Sequence, residues 1–259
     1  MIYRQKVLLA LMQELENIIN EDNLQVLLFL FCHEFVDNNH YYDFIPTSDS
    51  PISIQAQEDK RFILSKNIKK RTALELDFFE KMGISKLKKY AEGLTKTELL
   101  KRIYEQYPYY KNPASNNNKT VLYTIGYEGI SVEKYVNTLI KEGIVLLCDV
   151  RKNAYSQKFG FSKNELKHTL QLGGIEYLHI PELGIESDKR QGFVSYQKLF
   201  DEYEKTTLIE NKDKLDYLAT LLAKYNRIAI TCFEKDVYSC HRSRIAKAVK
   251  NMGYDVGHL

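Results

Sequence analysis

Apolar residues recur at helical spacing through the first hundred positions. Beyond about residue 120 they fall into short buried runs separated by amphipathic stretches. In the first part, Leu8, Leu11, Met12, Leu15, Ile18 and Ile19 mark one face of a helix. Residues 23–35 are apolar nearly all round, which predicts a central, buried helix. Residues 41–45, short and aromatic, predict a strand or wing. Ser50 and Pro51 form an N-cap and first-turn pair for a helix running to about residue 65. Thr95 and Glu98 make a capping box ahead of Leu99, Leu100 and Ile103.

Residues 111–119 are polar, poor in apolar side chains and interrupted by Pro113, which is linker chemistry. They separate a mostly helical domain, 1–110, from a second domain, 120–259. In the second, strands are predicted at 121–125, 144–150, 175–180, 227–233 and 254–259. Helices are predicted at 131–141, after the caps Ser162 and Glu165, at 196–225 with an irregular middle, and at 241–252. Strands alternating with helices predict an α/β domain: a Rossmann-like, mainly parallel sheet covered on both faces. Ligands in such sheets sit at the carboxyl ends of the strands.

That rule gathers the polar residues. Thr124, Gly126, Tyr127 and Glu128 follow the first strand, and Asp149 and Arg151 the second. His179 ends the third. Cys232 and Glu234 end the fourth, with Cys240, His241 and Arg242 opening the next helix. A helix start offers free N–H groups and a positive dipole end, so it binds anions and favours a thiolate.

Composition sets bounds on the function. The chain has 259 residues, 44% of them hydrophobic and 27% charged, and a formal charge of +3. That is a soluble globular composition with room for two cores, and the charge neither demands nor excludes a polyanionic partner. No apolar run is long enough for a membrane span, and the N-terminus lacks a signal-peptide pattern. Cytoplasmic location is the default expectation. Four cysteines in such a chain are thiols or ligands rather than a disulfide framework.

The motifs Thr124-Ile-Gly-Tyr-Glu-Gly129, Asp149-Val-Arg151, Gly174-Ile-Glu-Tyr177, Pro181-Glu-Leu-Gly184 and Cys240-His-Arg242 together resemble the bacterial domain-of-unknown-function family numbered 488, over residues 120–259. The resemblance implies an α/β domain with a polar pocket and supplies no reaction. The first part more loosely resembles the Panacea antitoxin domain. The carrying residues are Tyr42-Asp-Phe-Ile-Pro46, Ser50-Pro-Ile-Ser53 with Asp59, and Leu64-Ser-Lys-Asn67, with Ser50 where that family has Gly. It implies binding of a protein partner, in a toxin–antitoxin or defence setting.

Several readings of the site stay open. Arg151 and Arg242 with the helix start would bind an anion. Cys240 would be a nucleophile or close contact, His241 its acid–base partner and Asp149 an orienting carboxylate. Cys240 with the arginines could equally be a plain cap, and Asp149–Arg151 a structural ion pair. Glu128 and Glu234 could do acid–base work, and Tyr127 and Tyr155 could stack on a base or sugar. Cys232 at a strand end near a Ser/Arg-containing loop is similar to rhodanese-like sulfurtransferases, although its loop is longer. Cys232, Cys240 and His241, with His179, are zinc-type ligands, but Cys232-x7-Cys240-His241 matches no standard finger, so no metal or cofactor is assigned. Lys66, Lys69, Lys70 and Arg71, with Lys86, Lys88 and Lys89, read as solvated basic faces, and Cys32 and His33 as core.

The leading expectation is an enzyme or enzyme-like sensor for a phosphate-bearing ligand, a nucleotide or nucleic-acid end. The alternative is a non-catalytic, antitoxin-like binding module, and the third reading is a sulfurtransferase.

Overall fold

The computed structural model describes residues 1–20, 22–36, 41–66, 75–113, 119–186 and 196–259. The chain divides into two compact units, Met1–Pro113 and Ala114–Leu259. Lys69, Lys70, Arg71 and Asn67 lie outside the described residues, as does most of the 111–119 stretch.

The first unit is helical. Its helices are α1 (Tyr3–Glu14), α2 (Leu24–Leu30), α3 (Ile54–Ser65), α4 (Phe78–Ala91) and α5 (Lys96–Gln106). The apolar faces of α1 and α2 are almost wholly buried, from Val7 to Leu11 and from Val26 to Leu30. The run 23–35 is not one regular helix: α2 passes into a π turn over Phe31–Phe35. α4 packs closely there, and a Cβ on Gly83 would lie 2.4 Å from the Phe35 carbonyl oxygen. His33 stacks on Phe29 and Cys32 is buried, as core residues do. Lys66, Lys86, Lys88 and Lys89 are exposed.

Two local expectations are corrected. Ser50 does not cap α3. The helix begins three residues later, where Ser53 Oγ accepts from Ala56 N at 3.2 Å, while the Thr47 hydroxyl donates to the Ser50 carbonyl in a preceding turn. Residues 41–45 form no strand beyond a single antiparallel bridge between Ile45 and Ile52. The capping box at α5 is present, with Thr95 N donating to Glu98 Oε2 at 2.7 Å and Glu98 N to Thr95 Oγ1 at 3.3 Å.

The second unit is α/β. Strands β1 (Val121–Gly126), β2 (Leu146–Asp149), β3 (Glu176–His179), β4 (Arg227–Cys232) and β5 (Asp255–His258) form one sheet in the order β3-β2-β4-β1-β5. All pairs are parallel. Helices α6 (Val132–Lys141), α7 (Lys163–Leu172), α8 (Tyr196–Lys205), α9 (Thr207–Glu210), α10 (Lys212–Tyr225) and α11 (Arg242–Asn251) connect the strands. The expected irregular middle of 196–225 is the pair of breaks around α9. Ser162 does not cap α7 with its side chain: its hydroxyl instead donates to the Ser156 carbonyl at 2.9 Å.

β4 is buried at every residue, as a central strand covered on both faces must be. Its register decides the site. Gly126 pairs with Cys232, and Asp149 pairs with both Thr231 and His179. The carboxyl ends of four strands therefore finish at one level.

Candidate functional site

Two buried polar clusters occupy these strand ends. The first holds Asp149 and Arg151. Arg151 Nε donates to Asp149 Oδ1 at 2.8 Å and Nη2 to Oδ2 at 2.5 Å, while Nη1 donates to the Tyr127 hydroxyl at 2.7 Å and the Phe161 carbonyl at 2.9 Å. The Tyr177 hydroxyl adds a bond to Asp149 Oδ2 at 2.7 Å. The adjacent carboxylate and the Tyr127 hydroxyl raise the Arg151 pKa against the opposing effect of burial, the largest single influence. The guanidinium is thus committed to protein acceptors. Arg151 forms a buried ion pair that fixes the chain after β2, and it also lines the cavity described below. Tyr127 is held there too, stacked on Phe161 with ring centroids 4.3 Å apart.

The second cluster brings together Cys232, Glu234, Cys240 and His241. All but Glu234 are buried, and no cysteine of the chain is in a disulfide. His241 Nδ1 lies 3.8 Å from Cys232 Sγ and 3.7 Å from Cys240 Sγ, and Glu234 Oε2 is 3.2 Å from Cys232 Sγ. His241 Nε2 is 3.2 Å from the Val150 carbonyl, which only accepts, so Nε2 carries the hydrogen. The Cys232 thiol is held well below its usual range by a hydrogen bond from Cys240, against burial, with help from His241 and Glu234. Cys240 moves the opposite way, through burial and the adjoining Cys232. A helix start would favour Cys240 as the thiolate. Cys240 precedes the α11 N-cap, His241, by one residue, and both thiols are buried. Burial raises Glu234 above the ordinary carboxylate range, and the Cys232 charge adds to it.

Arg242, expected to bind an anion, is 1% exposed. Nη1 donates to the Glu234 carbonyl at 2.5 Å and Nη2 to the Lys235 carbonyl at 2.9 Å. It ties the loop between β4 and α11 back onto the helix. Gly126 completes that closure, because a Cβ there would lie 1.9 Å from the Glu234 carbonyl oxygen. Glu128 accepts from Lys235 N at 3.0 Å and so anchors the same loop. Thr124 Oγ1 meets His258 Nδ1 at 2.9 Å, at the β5 side of the sheet. His179 stands apart from the cysteines: its Nε2 is 2.9 Å from the Arg151 carbonyl and its Nδ1 is 3.3 Å from Lys163 Nζ. Arg244 pairs with Asp201 at 2.8 Å.

A cavity of about 360 Å³ opens between the clusters. Its wall carries Tyr127, Arg151, Tyr155, Cys232 and Phe233. The sequence reading missed Lys152, Asn153, Ser156, Gln157, Lys158 and Ile185, which complete the lining. All but Ile185, which follows β3, lie in the loop after β2 without regular structure, so no periodicity marked them. The signal of the loop residues was position alone, just after Arg151. Gly184 of the Pro-Glu-Leu-Gly motif lets this loop approach: a Cβ there would be 2.2 Å from Lys152 N.

The fold and site define a parallel α/β domain with a thiol–imidazole cluster at the strand ends. Residues 131–249 match the family model described as "Domain of unknown function DUF488". The match includes Asp149, Arg151, Cys232, Cys240 and His241. No curated protein and no solved structure matches the chain. Among the described residues, no helix is long and apolar enough to cross a membrane.

Proposed function

We propose that the α/β unit belongs to an enzyme or enzyme-like sensor that takes a phosphate-bearing ligand of the nucleotide class into the cavity. One observation carries the reading: Cys232 reaches the wall of a cavity that also presents Lys152, Lys158 and three aromatic rings. The lysines supply charge for an anion, and Tyr155, 70% exposed at the rim, offers a face to a base or sugar. Burial lowers the Lys158 pKa, and its ammonium donates to the Tyr127 carbonyl, which sets it on the inner wall. In this reading Arg151 acts from behind, through Tyr127, rather than as an anion ligand.

Calorimetric titration with nucleoside mono-, di- and triphosphates tests it. Lys152→Ala and Lys158→Ala are each expected to weaken binding by about tenfold, the loss of one charge-assisted hydrogen bond. Absence of binding by every nucleotide and by inorganic phosphate overturns the reading.

A second reading concerns the helical unit. Phe78 and Phe79 are 70% and 58% exposed at the start of α4, beside Tyr3, whose hydroxyl bonds Glu80. Adjacent exposed aromatics suit a protein partner, in line with the antitoxin-like expectation. Recovery of the same partner by the wild type and by Phe78→Ser/Phe79→Ser would remove this reading.

A further inference from the structure

We propose that Cys232, Cys240 and His241 form a mononuclear zinc site with an open coordination position beside the cavity. The inference goes beyond the ligand reading above and does not depend on it. The three donor atoms lie within 4.8 Å of one another and all three residues are buried. They come from two places that the fold holds together: the carboxyl end of β4 and the turn into α11. Cys240 N bonds the Val237 carbonyl at 3.2 Å, and Arg242 clamps the loop, so the cysteine separation is set by backbone rather than by side-chain choice.

The distances suit the ion. Tetrahedral zinc with ordinary Zn–S and Zn–N bonds places a sulfur and a nitrogen about 3.6 Å apart. The observed separations are 3.8 and 3.7 Å. With Nε2 donating to Val150, a neutral imidazole presents a single lone pair at Nδ1. Both sulfurs converge on that lone pair, and Cys232 Sγ has the Glu234 carboxylate as a second neighbour at 3.2 Å. A cation satisfies all three atoms at once. The Val150 carbonyl is also the outer partner that metal-binding histidines ordinarily have, fixing ring orientation and tautomer.

Two thiolates and an imidazole select zinc over magnesium or manganese. Three protein ligands are the number found where zinc keeps a position for water or substrate; purely structural sites use four. Cys232 is both a ligand and part of the cavity wall, so a molecule in the cavity would lie next to the ion. Glu234 stands outside the three-atom group, with Oε2 3.2 Å from Cys232 Sγ.

The sequence spacing had argued against metal, because seven residues separate the cysteines and the second is next to the histidine. That spacing is unlike a finger because the ligands are not on one hairpin. The loop runs out from the sheet and returns to it before the second cysteine.

The test uses the full chain, expressed with zinc supplementation and purified without chelator. Elemental analysis should find about one zinc per chain. Cobalt substituted for zinc should give an intense thiolate-to-metal charge-transfer band with tetrahedral visible bands. Cys240→Ser and His241→Ala should retain little zinc, while Lys158→Ala should retain it fully. The cobalt spectrum of the wild type stands even if a ligand variant fails to fold. Wild-type protein with negligible zinc, and no charge-transfer band on cobalt addition, overturns the site. Nucleotide binding without zinc would defeat this inference alone, and zinc without nucleotide binding would defeat only the ligand reading.

Discussion

Asp149 and Arg151 are two residues apart in the chain and face each other as a bidentate, buried ion pair at the end of β2. Neither charge can be removed singly without leaving the other desolvated. Asp149→Asn is expected to lose about 3 kcal/mol or more of stability. Replacing both by apolar residues of similar volume should cost much less. Urea unfolding of the single and double variants checks this; equal losses would mean the pair is not the unit.

Gly126 is the point where β1 meets the loop after β4. Gly126→Ala puts a methyl into the Glu234 carbonyl, and the backbone there cannot swing aside as a side-chain end could. The expected cost is about 1–3 kcal/mol, the usual range for overpacking. Zinc retention should fall as well, because the displaced loop carries Cys240. Unchanged stability and metal content would show that the loop is softer than its hydrogen bonds indicate.

Asp59 is 3% exposed and joins α1 to α3. It accepts from Arg4 Nε at 2.7 Å, Gln5 Nε2 at 2.8 Å and the Tyr42 hydroxyl at 3.1 Å. Asp59→Ala leaves those donors without their shared acceptor and should cost about 2 kcal/mol or more. Tyr42→Phe, which removes one donor only, should cost less. Thermal melts of the two variants rank them, and the reverse order would overturn the assignment.

The α5 cap gives a signed pH effect. Thr95 donates from its backbone N–H and its hydroxyl to Glu98, and these bonds hold that carboxylate below its ordinary range. Its folded pKa is lower than its unfolded value of about 4.3. The contribution is therefore complete above that value and is lost as pH falls toward the folded one. Thr95→Ala removes the hydroxyl but keeps the backbone bond, so it should lower stability at neutral pH and flatten the acid limb of the stability curve in part. Circular dichroism melts between neutral and acid pH would show it; parallel curves for variant and wild type would remove the cap from the account.

The architecture of the α/β unit was legible because its strands are short apolar runs, each followed by turn residues and an amphipathic helix. Every strand was placed, including β5. The candidate residues were legible through one rule about strand ends, and most do lie there. Their roles were not. Arg151 and Arg242 look like anion ligands in a sequence, since charge is visible and the acceptors that consume it are not. The carbonyls of Phe161, Glu234 and Lys235 become partners only through folding. Cys240 and Cys232 could not be ranked for a similar reason: a helix start is visible, but the loop that brings both thiols to His241 is not. In the helical unit, Ser53 took the cap assigned to Ser50. Both are serines before an apolar stretch, and the Ile45–Ile52 bridge decided between them.

The position of β4 has a consequence for the order in which the molecule can be built. This strand lies between β1 and β2, yet it follows both, and β3, in the chain. Until residues 227–232 arrive, β1 and the β2–β3 pair have no direct ladder between them. A chain stopped after α10 would leave β1 alone and β2 with an open edge, both lined with apolar residues. Unpaired edges of that kind template association with other chains. The strand that carries Cys232 is thus also the keystone of the sheet, and a nascent or truncated chain lacking it is expected to be the most aggregation-prone species this protein passes through.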